Sequence, residues 1–331
     1  MTSKQFKKIL IIRLSSLGDV LLATPLLNAI KREYGLCSID FVVRNEYADA
    51  IRLNPNVEQV FLYSRDKEEI TAIKKKIKSI GYDLIIDLQN NPRSRALTSG
   101  MNVKVVRFYK NSLAKFLLVK FKINRLKAAP SIPERYAATA EIQLNNDDKV
   151  ELFIPGQTGG NDKNSGKKLI GLCPGARHFT KRWSKEYFIE LGKTLIENSY
   201  DVCLLGGKDD TLLCEEIAAK IPGAMNFATD NDLYKLAFNM KRCSAVVCND
   251  SGLMHIACGL KIPVVAIFGS TVKEFGFFPY KSKSSVLENN SLFCRPCSHI
   301  GRRSCPKKHF KCMNDITPVK VYKTLNDLIC L

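Results

Sequence analysis

Short apolar runs alternate with helix-patterned stretches along most of the chain, and they do so in two series. In the first half KKILIIR (7–13), SIDFVVR (38–44), VEQVFLYS (57–64) and YDLIIDLQ (82–89) are rich in Ile, Val and Phe, and read as buried parallel strands. Between them, VLLATPLLNAIKREYG carries apolar residues at helical spacing and stops at Gly35; NEYADAIRLNP and the charged KEEITAIKKKIKSIG are the next helices. After residue 168 the alternation resumes. LIGLCPG, DVCLLGG, AVVCND (245–250) and PVVAIFGS (263–270) are strands. SKEYFIELGKTLIENS, with Ser184 as N-cap, TLLCEEIAAKI, DLYKLAFNMKRC and GLMHIACGL (252–260) are helices, and ITPVKVYKTLNDLICL is a final one. Such alternation predicts an α/β fold with parallel sheets and right-handed crossovers.

The two series are separated by GQTGGNDKNSGKK (156–168), a polar stretch with no apolar residue. It reads as an exposed linker between an N-terminal domain, 1–155, and a C-terminal domain, 169–331. With 331 residues, 45% of them hydrophobic, two Rossmann-like halves can each bury a core. The opening MTSKQFKKILIIRLSSLGDVLL sets basic residues before an apolar run, as a signal peptide does. Arg13, Ser15, Ser16 and Asp19 interrupt that run and no small-residue cleavage site follows, so a buried first strand and a cytoplasmic location are expected. No apolar run reaches the roughly 18 residues that span a bilayer.

Lys and Arg outnumber Asp and Glu by 51 to 32, a net charge of +19, which points to an acidic partner: nucleic acid, an anionic membrane or acidic small molecules. Residues 103–127 carry eight Lys or Arg and no acid, interleaved with Phe, Tyr, Leu and Val. They read either as a strand and a helix with a solvated basic face, or as a contact for an anionic lipid surface. Most of the 12 cysteines sit singly in apolar runs, as small reduced core residues do. Cys294, Cys297, Cys305 and Cys312 differ: they fall within nineteen residues, near His299 and His309. A Cys-x-x-Cys followed by two more sulfurs suits a structural zinc or an iron–sulfur cluster. The later spacings depart from paired Cys-x-x-Cys sites, so free thiols or redox-labile disulfides are the alternative.

In open parallel sheets ligands bind beyond the carboxyl ends of the strands. Three loops there are informative. Ser15-Ser16-Leu17-Gly18-Asp19 follows the first strand without a dinucleotide fingerprint; Asp19 is either a helix-capping carboxylate or a general base. Pro174 to Trp183 contains Thr180, Lys181 and Arg182, donors suited to a diphosphate, or else an ordinary surface loop. Asn249-Asp250-Ser251-Gly252-Leu253-Met254-His255 opens a helix directly after a strand. There free amides form an anion site, while Asp250 or Ser251 is the plain cap and His255 a core histidine on the other reading. Asp209-Asp210, after a strand, is a candidate metal-type acidic pair, a ribose contact or the cap of the following helix.

Together, ILIIRLSSLGDVLLATPLLNAIK, YDLIIDLQNNPRSR, CPGARHFTKRWSKEYFIELGKTLIE and NDSGLMHIACGLKIPVVAIFGST resemble the motifs of glycosyltransferase family 9, the ADP-heptose:lipopolysaccharide heptosyltransferases, in order and over most of the chain. The NDSGLMHIA segment is most similar to the second heptosyltransferase of the inner core. The resemblance implies a GT-B fold: two Rossmann-like domains facing a central cleft, the first holding the acceptor and the second the nucleotide sugar. It implies inverting transfer of heptose from ADP-heptose to an acidic lipid A–Kdo type acceptor. Asp19 is then the base and Lys181 supports the leaving diphosphate. Thr180, Asp250, Ser251, Gly252, Leu253 and His255 hold the donor, and Ser16 and Gly18 line the acceptor side; Arg93 and Arg95, after the fourth strand, either join them to bind acceptor phosphates or carboxylates or are solvated surface arginines. Lys181 and the helix amides stabilise the departing charge without a catalytic metal; any zinc on the four late cysteines is structural. The 103–127 segment then meets the anionic inner membrane, to which the enzyme is peripheral. Alternatives are the same fold with another nucleotide sugar, a relative that binds lipid-linked sugars without catalysis, or a basic Cys-rich nucleic-acid-binding protein; on the leading reading nucleic acid is not a partner.

Overall fold

The computed structural model describes residues 5–64, 66–156 and 166–330. Of the linker expected at 156–168, residues 157–165 lie outside the described residues. The chain divides into two compact units, Met1–Lys110 with Ile132–Phe153, and Asn111–Ser131 with Ile154–Leu331.

In the first unit five parallel strands stand in the order β3-β2-β1-β4-β5: β1 (Lys8–Ile12), β2 (Ser38–Arg44), β3 (Gln59–Tyr63), β4 (Leu84–Asp87) and β5 (Lys104–Arg107). β1 is central. Ile11 is paired with Phe41 on one side and Ile86 on the other, so Ile9 to Ile12 are wholly buried. Where the sequence predicts one helix from Val20 to Gly35, the structure has two, α1 (Leu17–Leu21) and α2 (Thr24–Tyr34). Pro25 lacks the N–H that a continuous helix needs, but is tolerated in a first turn. Thr24 Oγ1 donates to the Leu21 carbonyl at 2.8 Å, occupying one acceptor that α1 leaves open. The predicted helix at NEYADA is a short 3-10 segment, Asn45–Ala50; Pro55 soon follows and disfavours helical backbone before it. α3 (Lys67–Ile80) is capped by Asp66, which accepts from the backbone of Glu68 and Glu69. α4 (Pro92–Thr98) follows β4.

α5 (Ser112–Phe121), expected in the first domain, packs in the second unit. Leu118 and Leu126 bury against Phe275, and Lys122 Nζ donates to the carbonyls of Cys294 and Pro296. The chain then returns to the first unit with α6 (Ile132–Thr139).

The second unit has six parallel strands, β6 (Leu169–Cys173), β7 (Asp201–Leu204), β8 (Met225–Asn226), β9 (Ala245–Asn249), β10 (Val264–Phe268) and β11 (Ser284–Glu288), in the order β11-β10-β9-β6-β7-β8. This is the dinucleotide-fold order, whose direction reverses between β6 and β9. Its helices are α7 (Lys185–Glu197), α8 (Thr211–Ala218), α9 (Leu233–Lys241), α10 (Gly252–Gly259), α11 (Lys311–Asn314) and α12 (Pro318–Cys330). Ser184 caps α7 as predicted, accepting from Tyr187 N at 3.1 Å. The edge strands β8 and β11 and the short helices α4, α6 and α11 go beyond the sequence reading. Among the described residues, no helix is long and apolar enough to cross a membrane.

Trp183 is fully buried between the β6 loop and α12's approach: its indole N–H donates to the Ile316 carbonyl at 2.8 Å, and it packs on Phe188. Trp183→Phe leaves that carbonyl unpaired and a void beside it. It is expected to lower unfolding free energy by about 2–4 kcal/mol, measured by circular dichroism in urea; a loss within experimental error would show that the indole is not a keystone of this core.

Candidate active site

In each unit the predicted loops leave the sheet where the strand order reverses. In the first, β1 and β4 are neighbours whose following loops are stitched together. Gln89 Oε1 accepts from Leu14 N at 2.9 Å and Ser15 N at 3.2 Å, and Arg13 donates to the Leu88 carbonyl at 2.7 Å. This places Asp19 on the first turn of α1. Its carboxylate accepts from Ser16 Oγ at 2.7 Å and Ser16 N at 3.1 Å, and pairs with the Arg13 guanidinium at 2.6 Å. The capping arrangement is therefore real, but does not consume the carboxylate: Asp19 Oδ1 faces the Tyr136 hydroxyl at 3.4 Å and the side chain keeps 17% of its surface exposed. Burial alone would raise the Asp19 pKa. Arg13 and the two Ser16 bonds outweigh it and hold the carboxyl below the usual range, so Asp19 is ionised at neutral pH.

A cationic wall adjoins this carboxylate. Arg135 is buried and donates to the Tyr109 carbonyl at 3.1 Å; its Nη1 has no hydrogen-bond partner among the described residues. Burial, then the neighbouring Arg13, lowers the Lys110 pKa, and Arg95 adds to this repulsion. Arg95 and Arg93 are exposed on α4, with Arg95 Nε donating to Asn90 Oδ1 at 3.1 Å. The sequence motifs single out Arg93 and Arg95 but not Arg13, Lys110, Arg135 and Tyr136. Arg13 ends an otherwise apolar strand, a signal that could have found it. Tyr136 and Arg135 lie on a helix the sequence does not announce. Ser16 is a partner of Asp19, and Gly18 is buried within α1.

In the second unit the loops after β6, β9 and β10 meet. Lys181 Nζ is 2.7 Å from Asp250 Oδ2, and Thr271 Oγ1 donates to the same oxygen at 2.6 Å. Asn249 lies beneath them. Its Oδ1 accepts from Trp183 N at 3.0 Å and its amide donates to the Pro174 carbonyl at 2.8 Å, tying β9 to the β6 loop. Ser251 is the N-cap of α10, and Gly252 begins the helix. Ser251 Oγ is buried and makes no hydrogen bond among the described residues, so a hydroxyl and the first amides of α10 stand ready for an anion. Leu253 is half-buried in the first turn and His255 buried in the second. Thr180 is buried, and its hydroxyl is engaged internally: it bonds Ser270 Oγ at 3.1 Å and accepts from Arg302 N at 2.8 Å. Its side chain anchors the loop that presents Lys181. Asp210 folds back beneath Gly175, where any side chain would strike its carboxylate; burial raises its pKa.

The late cysteines belong to this scaffold. Arg295 is buried and donates to the carbonyls of Gly269, Thr271 and Asn289 and to Glu288, fastening the Cys-rich loop to the end of β10. Gly301, at φ +111°, packs where a Cβ would meet the His178 ring. For the four late cysteines the sequence leaves metal ligands and free thiols both open. Cys294, Cys297, Cys305 and Cys312 are free thiols, and among the described residues no group of three or more His, Cys, Asp or Glu is placed to hold a metal. Cys312 has gone into the core beside Met313, where burial pushes its thiol up to about 12; Cys294 Sγ instead faces His309 Nε2 at 3.9 Å.

Two Rossmann-like units, one offering an ionised carboxylate and the other a cation beside a helix N-terminus, define a nucleotide-sugar glycosyltransferase of the GT-B class. Residues 70–308 match the model of glycosyltransferase family 9 (heptosyltransferase). The chain belongs to that family and is a glycosyltransferase. It is 28% identical to lipooligosaccharide heptosyltransferase 2 of Haemophilus ducreyi, over 97% of this chain and 99% of that protein. The structure of the Escherichia coli ADP-heptose LPS heptosyltransferase II aligns with a TM-score of 0.73 at 25% identity, covering 98% of both chains. A family 9 glycosyltransferase structure from Veillonella parvula aligns with a TM-score of 0.79 at 21% identity, covering 98% of this chain and 97% of the other.

Because Arg13 is what offsets burial at Asp19, Arg13→Met should let burial dominate and raise the Asp19 pKa. The acid limb of the pH–rate profile for glycosyl transfer should then move to higher pH than in the wild type. A limb that stays in place would mean Arg13 does not set the charge of Asp19. The depressed Asp19 carboxylate also stabilises the fold above its unfolded pKa and loses that contribution as pH falls through the folded value.

Proposed function

We propose that the chain transfers heptose from ADP-heptose to an acidic lipid A–Kdo type acceptor of the lipopolysaccharide inner core. The observation that carries the donor half is the Lys181–Asp250–Thr271 clamp at the start of α10, beside the Ser251 hydroxyl, which has no hydrogen-bond partner among the described residues. Heptosyltransferases of Haemophilus ducreyi and Escherichia coli are the relatives that point to heptose and ADP.

On this reading the second unit binds the diphosphate. Lys181 swings from Asp250 toward the phosphates or bridges both, and the amides of Gly252 and Leu253 point at the β-phosphate. Thr180 positions the loop. The first unit supplies the base. The acceptor hydroxyl oxygen bonds to the anomeric carbon with inversion as the carbon–oxygen bond to ADP breaks. The hydroxyl proton passes to Asp19, and the bond's electron pair leaves on the β-phosphate, where Lys181 and the helix amides stabilise it. A carboxylate of low pKa suits this order of events, because the hydroxyl becomes strongly acidic only as its oxygen bonds to carbon. No step is assigned to a metal. Lys110, Arg135, Arg93 and Arg95 form the basic wall suited to acceptor carboxylates or phosphates. A lipid-linked acceptor makes the enzyme peripheral to an anionic membrane. No observation favours another donor sugar or nucleic acid.

Calorimetry without added metal should show ADP binding in preference to UDP and GDP. Lys181→Ala should weaken ADP binding by about 1.5–3 kcal/mol, as for a hydrogen bond to a charged group. Preference for UDP would retain the fold's chemistry and overturn the heptose donor. Asp19→Asn should nearly abolish transfer and leave ADP affinity unchanged, because the base lies in the other unit from the donor residues. Substantial residual transfer would place the base elsewhere.

A further inference from the structure

α5 is apolar on two faces, and only one of them is used. Ala114, Leu118 and Val119 pack with Leu126, Val272 and Phe275. On the other face Leu113, Phe116 and Phe121 are 65%, 56% and 56% exposed, and Ile123, just past the helix, is 50% exposed. The Phe116 and Phe121 rings meet edge to face at 5.9 Å, so these two aromatics form one exposed apolar surface. Phe293, also exposed, lines a cavity of about 390 Å³ with Leu118 and Lys122, on the side of α5 that packs toward the Cys-rich loop. Contiguous exposed aromatics of this kind mark a surface that another phase or molecule covers.

The surrounding charge selects the occupant. Residues 111–131 contain Lys115, Lys120, Lys122, Arg125 and Lys127 and no Asp or Glu. Lys122 is committed to the carbonyls of Cys294 and Pro296, while Lys120, Arg125 and Lys127 are exposed. A second copy of the chain docked through this patch would bring the same cations together. An anionic bilayer offers both things the patch lacks, an apolar layer for the rings and phosphates for the cations. At ten residues α5 is about 15 Å long, half of what a span requires, so it can lie in the interface but not cross it.

We infer that α5 is a membrane wedge: Leu113, Phe116, Phe121 and Ile123 enter the boundary of an anionic bilayer while Lys120, Arg125 and Lys127 meet its headgroup phosphates. This rests on the proposed function and deepens it, by naming the surface through which a lipid-linked acceptor is reached. Seating the enzyme on the leaflet turns the search for acceptor from three dimensions into two.

The test is flotation of the full chain with vesicles of phosphatidylethanolamine and phosphatidylglycerol, against vesicles of phosphatidylcholine alone. Wild type should float with the first and not the second. Phe116→Glu with Phe121→Glu, and separately Lys120→Glu with Arg125→Glu and Lys127→Glu, should each reduce vesicle binding by at least about tenfold. Both should keep wild-type ADP affinity and circular dichroism, since all five side chains are exposed and none of them is among the hydrogen-bond or ion-pair partners of Lys181, Asp250 and Thr271. Phe116→Trp adds a direct probe: the emission of the introduced indole should shift to the blue and be quenched by brominated lipid, against a constant background from buried Trp183. Vesicle binding that survives the Phe pair, or an unshifted emission from the Phe116→Trp variant on bound vesicles, overturns the wedge. So does concentration-dependent dimerisation that the same Phe pair abolishes, which would assign the patch to a second copy. Wild type that binds ADP but no vesicles sinks the wedge alone; vesicle binding without ADP binding sinks the donor assignment alone.

Discussion

The buried carboxylate of Asp250 carries the geometry of the second unit's site. A charge at 6% exposure is costly unless it is paired and hydrogen-bonded, and Asp250 Oδ2 is both, with Lys181 Nζ at 2.7 Å and Thr271 Oγ1 at 2.6 Å. Those partners come from the loops after β6 and β10, while Asp250 itself follows β9. One carboxylate thus fixes three loops at the point where the strand order reverses. Behind it the Arg295 guanidinium gathers the carbonyls of Gly269 and Thr271, and Asn249 binds the β6 loop from beneath. The Cys-rich segment contributes through Arg295 and through the Thr180–Arg302 pair, by backbone position more than by sulfur chemistry.

The first unit solves the converse problem with the same topology. There the presented group is the Asp19 carboxylate and the group that fixes it is a cation, Arg13, itself held by the Leu88 carbonyl. In the second unit the presented group is a cation and the fixing group a carboxylate. Each loop follows the first strand of its sheet, so the backbone frame is shared, and the sign of the presented charge depends on a few side chains. On the proposed function, the two presented charges are the base and the anion stabiliser that displacement of a diphosphate uses.

Much of this was legible in the sequence. Most strands of the two sheets are legible because parallel strands buried on both faces are runs of Ile, Val and Leu; the edge strands β8, only two residues long, and β11, mostly half-buried, are not. The loops after β1, β6 and β9 could be located from strand ends, and Asp19, Lys181 and Asp250 stood in them. What escaped depends on partners far along the chain. Thr271 is 21 residues from Asp250, and Tyr136 is 117 from Asp19. No local pattern distinguishes such residues from surface neighbours. Thr180 is the instructive case: a hydroxyl in a phosphate-type loop reads as a ligand contact, yet it is buried against Ser270 and Arg302. The break at Leu22 and Ala23 was foreshadowed by Pro25. The transfer of 111–131 to the second unit was not, since its packing face on Phe275 is set by residues roughly 150 positions away.

On the proposed function, Asp250 positions Lys181 for the donor diphosphate and Thr271 acts through this pair. A double-mutant cycle on ADP affinity, with Lys181→Ala, Thr271→Val and the two combined, tests it most directly. Thr271→Val should weaken ADP binding in the wild type and have little further effect once Lys181 is gone, with a coupling of about 0.5–3 kcal/mol. Losses that add within about 0.5 kcal/mol would contradict it, since independent contributions are what unconnected residues give.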